Sequence, residues 1–265
     1  MGMSRKRFFR LVNNPRHIPG IHNYCDRWCE RCPLSLRCSV FAVGEVEDGK
    51  EPHEKKNELL WPRLQALRPT AEELLTKHAG HPGIARAEDP KFQNLNEELG
   101  SSTLGAAATR YMEFAHRFVE DNRKTLHKQP PAAGDPGVTP AECFDIIAWY
   151  HTLTPVKLSR ALHRDELDEE LENDPDFKDM PRDSDGSAKV VLLTIDRTIL
   201  AWTGLHLHVS ELQETALCAM LTLSRLRRGV DKAFPQARPF VRPGFDTLRY
   251  PNQECQRLLP PLISS

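Results

Sequence analysis

Strand signals are almost missing from this chain: no run of alternating β-branched residues is bracketed by hairpin turns. A sheet-built core is therefore not expected. Glycine is scarce, 14 of 265 residues, and sits in linkers, with no phosphate-cradling loop and no nucleotide fingerprint. No Ser-His-Asp order appears either, which argues against nucleotide-binding enzymes and serine hydrolases. Long hydrophobic runs are lacking too. The longest, Val190 to Leu200, is interrupted by Asp196 and Arg197, and reads as too short and too charged to span a bilayer. The basic start, Met1 to Arg10, is followed by no apolar segment and no small-residue cleavage site, and Lys6 breaks the myristoylation pattern. The expectation is a cytoplasmic protein without a membrane anchor, with its thiols kept reduced.

What is present is helical and well punctuated. The hydrophobic content of 39% is enough for a packed core. Thr70-Ala71-Glu72-Glu73 has the form of a capping box, with Gly80 closing a short helix. Asp89-Pro90 reads as a cap followed by a proline in the first turn. From Ser101 to about Leu126, apolar residues recur at helical period through Leu104, Ala108, Tyr111, Ala115 and Phe118. Thr139-Pro140-Ala141-Glu142 combines cap, first-turn proline and third-position glutamate, opening a helix to about Leu167 with a kink expected at Pro155. An acidic connection follows. Ser187 to Leu207 is apolar nearly all round, as a central helix should be, and Ser210-Glu211-Leu212-Gln213 would cap a last helix ending near Gly229.

These signals predict an all-α protein: an antiparallel four-helix bundle carrying an N-terminal four-cysteine metal-cluster loop and an extended C-terminal tail. The boundary falls at 60/61, dividing a basic N-terminal segment, 1–60, from the bundle domain and tail, 61–265. Net charge is −1, but it is unevenly spread: residues 1–40 carry eight Lys/Arg against two acidic residues. That basic end suits a protein partner, or nucleic acid through Arg5, Lys6 and Arg7.

Four of the seven cysteines, Cys25, Cys29, Cys32 and Cys38, lie within fourteen residues. Thiolates gathered this closely repel one another unless a cation or an iron-sulfur core takes up their charge, and two local disulfides are the other way out. Cys143, Cys218 and Cys255 are scattered and read as small core residues. A zinc ribbon would need a second, distant Cys-x-x-Cys pair, which is missing; a zinc knuckle usually includes histidine and has other gaps.

The segment Cys29-Glu30-Arg31-Cys32-Pro33-Leu34-Ser35-Leu36-Arg37-Cys38 resembles the end of the cluster loop in helix-hairpin-helix DNA glycosylases. The resemblance implies a 4Fe-4S cluster, here on Cys25, Cys29, Cys32 and Cys38. It covers ten residues; the first gap is three rather than six, and no glycosylase domain accompanies it. Cys25-x3-Cys29-x2-Cys32 also has the spacing of the radical SAM triad, but Cys38 is available to close the open iron. A four-cysteine shell is saturated and suits electron transfer, clamping or sensing better than Lewis-acid chemistry. Arg27, Arg31, Arg37 and Trp28 surround it.

Two further constellations stand in the bundle. Glu113 and His116 form one Glu-x-x-His, the di-iron motif, with Glu113 placed by the helical wheel opposite the apolar stripe. Asp196 and Arg197 sit inside the most apolar helix, where burying either without a partner would cost several kcal/mol. They mark either a network fixing helix register or a polar site with His151, Tyr150 and Trp202.

The function expected is that of an iron-sulfur helical protein in electron transfer or redox-linked regulation with a protein partner. The alternatives are a zinc-stapled nucleic-acid or protein-binding module, and an enzyme with a polar site at the bundle centre.

Overall fold

The computed structural model describes residues 5–48, 60–81, 103–126, 137–172 and 182–246. All regular structure among them is helical, so the protein is all-α. The chain divides into two compact units, one holding residues up to Pro62 together with a second stretch that begins at Val241, the other running from Arg63 to Phe240. The division falls two residues beyond the boundary read from the sequence, and residues 241–246 rejoin the N-terminal unit instead of the larger one.

In the N-terminal unit, α1 (Arg5–Val12) packs on α2 (Ser39–Asp48). Between them the chain makes three short 3₁₀ turns, Ile21–Tyr24, Cys29–Arg31 and Ser35–Arg37. Among the described residues before α3 (Leu60–Gln65), Ile21, Trp28 and Leu34 are the buried apolar side chains of this unit. Gly244 adopts φ +79°, and a side chain there would meet Ile18 and Ile21, so the returning segment lies close on the loop's own core.

The larger unit contains α4 (Arg68–Lys77), α5 (Thr103–Leu126), α6 (Pro140–Glu172), α7 (Asp183–His208) and α8 (Gln213–Ala233). Helix α7 packs on α6 and α8, and α5 packs on both α6 and α8, while α4 covers part of α7 and α8. That explains why α7 is buried on nearly every face. It is long and apolar enough to cross a membrane by length and composition, correcting the sequence estimate, but 83% of its most apolar window is buried inside the protein. Trp202 fills the centre, its ring 4.5 Å from Phe118 and 6.1 Å from Phe114.

The Thr139 cap forms as its sequence predicts. Glu142 accepts from the Thr139 amide at 2.9 Å, and the Glu142 amide donates to the Thr139 hydroxyl at 3.2 Å. Arg63 then grips the same carboxylate with both guanidinium arms, at 2.6 and 3.1 Å, and donates to the Gly137 carbonyl. Two other expected caps do not form. Helix α4 begins before Thr70, at Arg68, because Pro69 suits a first turn. Ser210 opens a 3₁₀ turn without a side-chain cap, and α8 starts at Gln213. The tail, expected to be extended, runs in turns from Phe234 to Asp246, with Arg242 and Asp246 paired across the last one at 3.0 Å. The acidic connection is shorter than expected, since α6 runs on to Glu172 and α7 begins at Asp183; residues 173–181, the Asp89-Pro90 cap, Cys255 and the rest of the tail lie outside the described residues.

Candidate functional site

The three 3₁₀ turns place the loop cysteines. Cys25 follows the first, Cys29 opens the second, Cys32 follows it, and Cys38 follows the third. All four line one half-open pocket, with Ile21, Trp28, Phe41 and Phe245 supplying apolar wall. Arg27 stands at φ 57°, a left-handed backbone that costs a non-glycine residue about 1–2 kcal/mol. The neighbouring Asp26 carboxylate accepts from the Trp28 amide at 3.2 Å, which fixes the bend.

Polar and cationic groups then surround the sulfurs. The Leu34 amide donates to Cys32 Sγ at 3.4 Å, and the Cys25 thiol donates to the His22 carbonyl at 3.4 Å. Arg31 lies over the Trp28 ring, 4.6 Å from its centroid, and Trp61 meets Trp28 edge-on. Burial first, then the charges of Cys25 and Cys38, push the Cys29 thiol up to about 11. Burial, with Asp26, Cys25 and Cys29 adding to it, pushes Cys32 up to about 12, against the Leu34 amide. Cys29 and Cys32 are thus held protonated, and a bound cation must displace their protons.

Spacing bears on which cation. Tetrahedral zinc holds its sulfurs about 3.8 Å apart, from Zn–S distances of about 2.3 Å. Among the described residues the donor set that closes to within 4.8 Å is His81, Glu214 and Cys218; no three of the loop thiols do so.

The polar residues of the larger unit do not form one site. Asp196 pairs with Arg227 at 3.2 Å and Arg238 at 3.5 Å, and Arg238 is also held by Asp231 at 2.7 Å. Burial pulls Arg238 down, but Asp231 and Asp196 outweigh it and hold the guanidinium above its usual value. Arg197 turns elsewhere, donating to the Tyr150 hydroxyl at 2.7 Å. Consecutive residues on a helix point about 100° apart, which is why these two charges cannot share a site. Trp202 donates to the Tyr111 hydroxyl at 3.1 Å. His151 donates from Nδ1 to the Ala148 carbonyl at 2.8 Å and stacks on His116, centroids 5.6 Å apart; its Nε2 is buried without a hydrogen-bond partner.

Glu113 is buried, not solvent-facing, because α6 and α8 both pack on its helix. His116 pairs with Glu120 at 3.2 Å. Cys143 is a core residue as expected, whereas Cys218 is partly exposed. Arg227 could have been found from sequence, since it falls in phase with the apolar stripe of α8 through Met220 and Leu223. Arg238 and Phe245 carried no such signal, as both follow a turn-rich segment. The chain matches no protein-family model, no curated protein and no solved structure.

Proposed function

We propose that this protein binds a 4Fe-4S cluster through Cys25, Cys29, Cys32 and Cys38, and serves electron transfer or redox-linked regulation with a protein partner. The observation that carries the reading is the convergence of all four cysteines on one pocket. Four thiolates at one place form a saturated shell, which suits a cubane with one cysteine on each iron. The Leu34 amide aimed at Cys32 and the cationic Arg31 beside Trp28 would offset cluster charge and raise its potential.

A partner is supported by the surface of the same unit. Phe8, Phe9, Val12, Leu36 and Val40 are exposed apolar side chains, set among Arg5, Lys6 and Arg10. Apolar anchors rimmed by positive charge suit an acidic protein surface. The six described cysteines are free thiols, in keeping with a reducing cytoplasm. In the larger unit we read α5 to α8 as an antiparallel four-helix bundle. Tyr150 meets Arg197, Thr154 meets Thr194 and Arg160 meets Asp183, so α6 and α7 run in opposite order.

Anaerobic purification tests the cluster. The native chain is expected to be brown, absorbing at about 400 nm, with iron and sulfide in cluster proportion, and Cys32→Ser to lose both. A colourless protein holding stoichiometric zinc on the loop would replace this reading by the zinc-stapled module. Salt-sensitive binding to DNA or RNA, lost on replacing Arg5, Lys6 and Arg7, would point the partner surface to nucleic acid instead.

A further inference from the structure

We propose a second metal site, separate from the cysteine loop: His81, Glu214 and Cys218 form a three-ligand site for a zinc-class divalent cation, with its fourth position open to solvent. The three donor atoms lie within 4.8 Å of one another. His81 Nε2 is 3.0 Å from Glu214 Oε1, and Cys218 Sγ is 3.8 Å from the same oxygen. A tetrahedral zinc ion, with ligand distances of about 2.0–2.3 Å, needs donor separations of about 3.3–3.6 Å. The observed pairs miss those values by a few tenths of an ångström in opposite senses, which side-chain rotation corrects.

Local structure explains why the donors meet. Glu214 and Cys218 are four residues apart near the start of α8, hence on one face. His81 comes from the chain beyond α4, and Arg225, on the same helix α8, donates to its backbone carbonyl. All three ligands are therefore referred to one rigid helix. Imidazole, carboxylate and thiolate together select zinc over magnesium or calcium, and the two anionic donors neutralise a dication. Glu214 is 75% exposed, so the unfilled position faces water. A plain surface ion pair of His81 with Glu214 would contribute little and would need no sulfur beside it.

The site does not depend on how the cysteine loop is read, and its test keeps the two apart. Zn²⁺ content and Co²⁺ spectra are compared for the full reduced chain and for Cys218→Ser, His81→Ala and Glu214→Gln, with iron measured in each. Cys218→Ser is expected to bind one zinc fewer and to lose the thiolate-to-cobalt absorption that His81→Ala and Glu214→Gln only weaken. Affinity should fall roughly a hundredfold or more, since outer partners of a metal site alone account for about 10–100-fold. Unchanged zinc content and cobalt spectrum in Cys218→Ser would overturn the proposal. Loss of iron in Cys218→Ser would overturn it as well, by assigning that thiol to the cluster.

Discussion

Arg227 lies 3.2 Å from Asp196, and the two side chains are only 3% and 6% exposed. This pair, extended by Arg238 and Asp231, ties α7 to α8 and to the turn that follows α8. Its charges are committed to one another, which speaks for a register-fixing role over a substrate site at Asp196. Removing one member strands the other. Asp196→Ala is expected to destabilise the protein by about 3–5 kcal/mol, whereas Asp196→Leu combined with Arg227→Met should cost less than either change alone. Urea titration of these four variants, Asp196→Ala, Asp196→Leu, Arg227→Met and the double, measures the difference. A double variant as unstable as the sum of the singles would show that the pair is not the unit of stability.

Tyr111 and Trp202 form another buried polar contact, set among aromatic rings. Tyr111→Phe keeps the ring and removes the acceptor, leaving a buried indole N–H unsatisfied. A loss of about 1–3 kcal/mol is expected, with little change in the denaturant slope. Tryptophan fluorescence during unfolding follows it directly.

Two groups set the acid limb of stability. Burial holds His151 below its ordinary value of 6.5, against the Ala148 bond. Its folded state resists the proton that the unfolded state accepts, so stability should be full above about pH 6.5 and decline as pH falls toward the depressed value. Burial also raises Glu142, but the Arg63 bonds and the Thr139 cap more than offset this and hold its carboxyl below 4.5. Its contribution is present above that pH and is lost as pH falls through the folded value. Urea midpoints measured against pH should flatten below pH 6.5 in His151→Asn and below pH 4.5 in Glu142→Gln. An unaltered profile in either variant removes that residue from the account.

Two helical glycines should respond oppositely to alanine. At Gly204 a Cβ would lie 2.5 Å from Cys143 Sγ, inside a packed core, and a cost of about 1–3 kcal/mol is expected. At Gly229 the added carbon would meet the tip of Leu104, which can turn aside, while helix propensity improves by about 1 kcal/mol. Gly229→Ala should therefore be neutral or stabilising in thermal melts.

Legibility in the sequence tracked how local each cause was. The Thr139 cap, the apolar face of α5 and the all-round burial of α7 could be read because each depends on residues a few positions apart. Thr70 misled because proline at the second helical position competes with a capping box and wins. Glu113 misled because a helical wheel assumes one buried face, and two helices pack on α5. The partners of Asp196 and the meeting of His81 with Cys218 are products of tertiary packing, and no spacing rule reaches across such separations. The cysteine loop was the opposite case, since its four cysteines and two of its three 3₁₀ turns are written in the same fourteen residues.

Phe245 closes the wall of a pocket whose cysteines lie near the other end of the chain. During synthesis the ribosome releases Cys25 to Cys38 early, and everything in the larger unit up to Phe240 is made before Phe245 emerges. The pocket therefore stands open on that side until residue 245 is made, and the four cysteines go without that apolar wall over the whole interval. In temporal terms, the returning segment is a door fitted late: it does not bring the four cysteines together, but it sets how readily water and oxidants reach them.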